Sequence, residues 1–183
     1  MVTAMWSDVL AFLQTARFVD LLLPGWIDRS GPLPVCRPLT LAFGVYLQAE
    51  SGLIQFAAVN GNGGLRIRLA NQIEYDADLR NDPDEELAAA SVGDHYLTAA
   101  GSGRCTAMRL FTNNESVPED GIFRAVELTF EAAYTVFFDP FWIDGIRLGT
   151  GNTADLWLAE DRSPRFRELF GPLKETTWLP ARR

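Results

Sequence analysis

The stretch Leu39-Thr40-Leu41-Ala42-Phe43-Gly44-Val45-Tyr46-Leu47-Gln48 decides the fold class. Leu39, Leu41, Phe43, Val45 and Leu47 alternate with Thr40, Ala42, Gly44, Tyr46 and Gln48, the period of a strand with one buried face. Glu50, Ser51 and Gly52 turn the chain into a second apolar run, Leu53 to Val59. The cluster Asn60 to Gly64 turns it again into Leu65, Ile67 and Leu69, alternating with Arg66 and Arg68. Three strands joined by tight turns make an antiparallel meander. Arg66 and Arg68 mark its solvent side, and Leu65, Ile67 and Leu69 require a second layer.

Outward from the meander, Ser7 caps a run in which Val9, Phe12, Leu13, Ala16, Val19 and Leu23 recur near a helical period, which predicts a helix over Asp8 to Leu22. The half from Phe18 to Leu23 is equally compatible with a buried strand. A loop rich in proline follows, through Ser30, Gly31, Pro32, Pro34 and Pro38. Downstream, Asp82, Pro83, Asp84, Glu85 and Glu86 read as the start of a short acidic helix ending near Ala90, with proline in the first turn and carboxylates at the positive end of the dipole. Strands are expected at His95 to Ala99, Arg104 to Thr112, Ile122 to Phe130, Tyr134 to Phe138, Gly145 to Leu148 and Asp155 to Ala159. In the third of these, Val126, Leu128 and Phe130 point inward and Glu127 and Glu131 outward. Ser163 caps a last helix, Pro164 to Phe170, stopped by Gly171 and Pro172. The expectation is a single globular domain over residues 1–183, mainly β with α+β margins. It is an antiparallel β-sandwich or partly closed barrel with an N-terminal helix, a short central acidic helix and a short C-terminal helix.

Composition narrows function mainly by exclusion. The 183 residues are 48% hydrophobic and 22% charged, enough to bury a sizeable core. A net charge of -8 disfavours a surface that neutralises phosphates, so no nucleic-acid partner is expected. Two cysteines and one histidine exclude zinc sites of four Cys/His ligands and two-histidine iron sites, and no metal or other cofactor is expected. The start of the chain lacks the basic region of a secretory signal, and no apolar window is long enough to span a membrane. Cys36 and Cys105 read as separate thiols of a soluble, cytoplasmic protein.

Five features bear on chemistry. His95 follows Asp94, but neighbours on a strand face opposite ways, so Asp94 cannot orient the imidazole and His95 reads as structural or superficial. Second, Glu74 to Asp94 holds eight carboxylates against Arg80 alone, a net -7 that is nearly the whole charge of the chain. The spacing does not form a calcium loop. Its plain reading is a solvated face; its sharper one is a surface formed by Asp76, Asp78, Asp84, Glu85 and Glu86 for a basic protein partner. Third, Tyr134 to Trp142 holds five aromatics in nine residues. Phe137 and Phe138 must face opposite sides of a strand, so either both faces are covered or Phe137, Phe138, Phe141 and Trp142, with His95, contribute to a ligand surface. Double burial is the favoured alternative. Fourth, Asp139 and Asp144, with Glu160 and Asp161, could hold a magnesium ion, though no spacing requires it. Fifth, Gly149-Thr150-Gly151-Asn152-Thr153-Ala154 matches a dinucleotide fingerprint in pattern, but a hairpin turn before a strand accounts for it better.

These features predict a non-catalytic interaction protein, of inhibitor or immunity type, that presents the acidic tract to a basic partner. The alternative is a binder of a small apolar ligand in a cavity lined by Phe43, Phe56 and Phe130. A hydrolase-type enzyme using His95 or Asp139 and Asp144 ranks third. The segment Arg162 to Arg183 carries a net +4, so the charges also permit a homo-oligomer through opposite patches.

Overall fold

The computed structural model describes residues 6–39, 42–59, 63–75, 86–97, 103–140, 145–161 and 164–181. Two antiparallel sheets face each other and do not close into a barrel. The first holds β1 (Phe18–Asp28), β2 (Val35–Pro38), β3 (Gly44–Ala49), β4 (Gly52–Val59), β5 (Gly64–Ala70), β6 (Leu87–Ser91) and β8 (Ile122–Phe123). Its order is β2-β1-β3-β4-β5-β8, with β6 paired to β1. The second runs β11-β10-β9-β7-β12, from β7 (Cys105–Thr112), β9 (Ala125–Phe130), β10 (Thr135–Pro140), β11 (Ile146–Thr150) and β12 (Lys174–Trp178). The predicted meander is β3-β4-β5, with Val45, Leu47, Ile54, Phe56, Leu65 and Ile67 in the inter-sheet core and Arg66 and Arg68 outside it. Its first strand opens at Gly44 rather than Leu39, Phe43 is exposed rather than inward, and Leu41 lies outside the described residues.

Across the core Phe56 stacks on Phe138 with ring centroids 3.9 Å apart and planes 7° from parallel. At one end of the sandwich Phe18 meets Phe130 edge to face. Helix α1 (Trp6–Thr15) closes this core by burying Val9 and Leu13, with Trp6 against Phe123. Each fully buried side chain of this size stabilises the fold by about 1.5–3 kcal/mol.

The first departure from the sequence reading lies in β1, expected as the second half of a helix and resolved in favour of the strand. Its buried residues Phe18, Leu21 and Pro24 recur every third position, and the first of these steps spans a register slip between Phe18 and Asp20. A bulged strand thus imitates helical spacing. Leu87–Ser91, expected as the end of the acidic helix, is instead β6, paired with Leu22 to Trp26 of β1; Asp82 to Glu85 lie outside the described residues.

At Gly93–Tyr96 a helical turn, α2, replaces the start of the strand expected from His95. Gly93 donates its N–H to Asp20 Oδ1 (3.0 Å) there. A Cβ on Gly93 would lie 2.4 Å from that oxygen.

The expected strand at Asp155 to Ala159 is helix α3 (Thr153–Asp161). Ala154, Trp157 and Leu158 face inward at helical spacing while Leu156 is 64% exposed. Together with Phe111, Ala125 and Phe137 they form a second core on the outer face of the second sheet. Helix α4 (Pro164–Phe170) ends at Gly171, φ +77°, as read from the sequence. Among the described residues no helix is long and apolar enough to cross a membrane.

Candidate functional site

Register places three residues side by side on the outer face of the meander: Gly44 pairs with Ala57, and Ala57 with Arg66. The next row is Tyr46, Gln55 and Arg68. Two positions without substantial side chains beside a row of long ones leave a cleft of about 360 Å³. Its walls are Phe43, Gln55, Val59, Arg66, Arg68 and the returning chain at Glu74 and Tyr75. Small-molecule sites run from about 300 to 1,000 Å³.

A closed hydrogen-bond ring builds one wall. The Tyr46 hydroxyl accepts from Gln55 Nε2 (2.7 Å) and from the Glu74 backbone N–H (2.8 Å), and donates to the Glu74 carbonyl (3.1 Å). Arg68 donates through Nε to Gln55 Oε1 and through Nη2 to the Glu74 carboxylate (2.6 Å). Every member holds another, so the ring clamps the 73–75 segment on the sheet. Tyr46 is fully buried, and desolvation raises its pKa, which keeps the hydroxyl protonated as the ring requires. The Tyr75 phenol is also raised, first by desolvation and then by Cys36 nearby, so it stays neutral.

The two arginines of the cleft differ in what they hold. Arg68 is committed to Gln55 and Glu74, whereas Arg66 is exposed and has no carboxylate partner among the described residues. Among the described residues two cations and one carboxylate line the cleft, in a chain of net charge -8. Two other hollows lack such an unmatched charge or the necessary room. The one beneath the β1–β2 turn, about 280 Å³, has its charged members Asp28 and Arg37 paired at 3.1 Å. The one beside Gly63, Asn113 and Arg124 is about 60 Å³, room for a few waters.

The residues singled out from the sequence do not assemble into one site. Asp76, Asp78, Asp84, Glu85, Phe141, Trp142 and Asp144 lie outside the described residues. Within the acidic tract, Glu86 pairs with Arg29 and Glu74 with Arg68, so these two carboxylates are matched by the protein's own arginines. Phe137 and Phe138 are both buried, in different cores, so neither ring faces a ligand surface. His95 is exposed on α2, in a helical turn rather than a strand.

Asp139 is 1% exposed and bound to Arg124 (3.2 Å) and Arg147 (2.7 Å). Its lone pairs are taken by guanidiniums, which makes it an anchor for β8–β9 and β11 rather than a base or metal ligand. Among the described residues no three His, Cys, Asp or Glu side chains gather as metal ligands. Cys105 is buried, and desolvation pushes its thiol up to about 12, out of reach as a nucleophile. The Gly149–Ala154 turn does open a helix, contrary to the hairpin expected there. The strand before it is antiparallel to its neighbour β10, so the βαβ unit of a dinucleotide site is missing.

Of the three aromatics placed around an apolar cavity, Phe56 and Phe130 are core residues and only Phe43, 44% exposed, lines the cleft. The cleft residues escaped notice because Arg66, Arg68 and Tyr46 read singly as outward-facing positions. Their signal is the pairing of Gly44 and Ala57 with Arg66, which depends on register. The chain matches no family model, and no curated protein and no solved structure is significantly similar to it.

Proposed function

We propose that this protein is a non-catalytic binding protein that holds a small molecule in the cleft on the outer face of β3-β4-β5. The supporting observation is the row Gly44, Ala57 and Arg66, in which two small residues leave space beside a cation with no carboxylate partner among the described residues. Exposed Phe43 offers apolar contact, as does Tyr75, and the Gln55 amide offers a donor. The test is a fragment screen read by saturation-transfer NMR on the wild type and on Ala57→Leu. The new side chain fills the cleft from a position outside the inter-sheet core. Fragments that bind the wild type and not A57L support the reading; fragments that bind both equally overturn it.

A second reading concerns a macromolecular partner. Glu74 and Glu86 are matched by Arg68 and Arg29, and the carboxylates that remain between them and at Asp94 favour docking of a basic protein in the cytoplasm, since a concentrated field steers association. Reversal of Asp84, Glu85 and Glu86 to lysine is expected to abolish capture of a lysine-rich partner from host lysate without changing the melting temperature. Unchanged capture removes this reading.

A further inference from the structure

We infer that the cleft selects a small monocarboxylate with a flat apolar body, its carboxylate seated on Arg66. This rests on the cleft being the ligand site and deepens that reading to a chemical class. Charge bears on the anion's valence: Arg68 is matched by Glu74, so among the described lining residues Arg66 is the cation left for the ligand. A polyanion such as a nucleotide phosphate would leave charge unmatched inside a molecule of net -8.

The guanidinium fork suits a planar, two-oxygen acceptor, which favours carboxylate over a spherical anion. Space beside the fork comes from Gly44 and Ala57. A Cβ on Gly44 would meet Gln55 Nε2 at 3.3 Å and the Tyr46 hydroxyl at 3.5 Å, so the glycine lets the Gln55 amide and the Tyr46 ring lie over the strand beside the cleft. That amide spends one N–H on Tyr46, and its second has no partner among the described residues. The Phe43 ring, Ala57, Val59 and the lining residue Tyr75 supply the apolar contact that a flat ring system needs.

The experiment titrates 2-naphthoate and its neutral twin 2-naphthamide, at pH 7, into the wild type, Arg66→Gln, Arg66→Lys and Ala57→Leu, followed by NMR. The expected result has four parts. Naphthoate binds the wild type at least tenfold more tightly than naphthamide; R66Q abolishes the difference; R66K keeps only part of it, because the fork is lost; and A57L loses both compounds. Equal binding of the two compounds to the wild type, both lost in A57L, overturns the carboxylate inference while the cleft reading stands. Binding of naphthoate that R66Q leaves unchanged overturns it too. Failure of both compounds to bind the wild type overturns the inference for flat carboxylates, and the fragment screen then judges the cleft separately.

Discussion

Phe137 and Phe138 are consecutive in the chain and belong to different cores. Phe138 lies between the sheets, stacked on Phe56, while Phe137 lies beneath α3 against Phe111 and Trp157. Truncation of either ring should cost about 3–5 kcal/mol in chemical denaturation, since both are fully buried. Hydrogen exchange separates the two: F137A should accelerate exchange in α3, and F138A in β4 and β10. Equal acceleration in α3 by both variants would contradict the two-core description.

Tyr46→Phe removes one oxygen and strands two donors, Gln55 Nε2 and the Glu74 N–H. The expected loss is about 1–3 kcal/mol, because buried donors are left without acceptors. The Glu74 amide should also exchange faster. Protection of Glu74 unchanged from the wild type would show that the ring does not clamp the segment.

Asp139→Asn leaves two guanidiniums facing a neutral amide. A loss of about 3–5 kcal/mol is expected for breaking a buried pair. The loss should persist at 1 M salt, where exposed pairs are screened over a few ångströms. Arg147→Ala should cost less, because Arg147 is 45% exposed and Arg124 stays on the carboxylate. Equal costs for the two variants would place the energy elsewhere.

Much of the fold is legible in the sequence wherever one face is buried and the other wet. Strands β5 and β7 show alternation, and α4 shows its stop at Gly171, while its expected cap Ser163 lies outside the described residues. Strands β9 and β10 are buried on both faces, with Glu127, expected to point to solvent, buried and paired with Arg109. The misread elements each have a reason. Bulged β1 imitates a helix by burying every third residue. Helix α3 imitates a strand because Leu156 is exposed between the buried Ala154 and Trp157, and its short length hides the i, i+3, i+4 pattern. Strand β12 is exposed along Lys174 to Thr177 and carries no hydrophobic pattern to read. The cleft was hidden for a different reason: it is made by side chains that are missing at Gly44 and Ala57, and pairing alone brings those positions beside Arg66.

Asp28 provides a pH prediction. Its carboxylate is held down to about 2 by hydrogen bonds from Ser30, side chain first and then backbone, and by Arg37. The folded value is below the unfolded one of 3.8, so the stabilisation is present above pH 3.8 and is lost as pH falls through about 2. The stability difference between wild type and Asp28→Asn should therefore be constant from neutral pH to about 5 and shrink below 3.8. A difference that vanishes already by pH 5 would contradict the assignment.

The binding role itself is tested most directly by amide chemical-shift mapping with 2-naphthoate. Saturable shifts should cluster at Gly44, Ala57, Arg66 and Tyr75, with the β1–β2 turn around Leu33 silent. Saturable shifts centred on Leu33 and Val35 would contradict a ligand site on β3-β4-β5, and shifts spread over the surface without saturation would contradict its choice of a flat carboxylate.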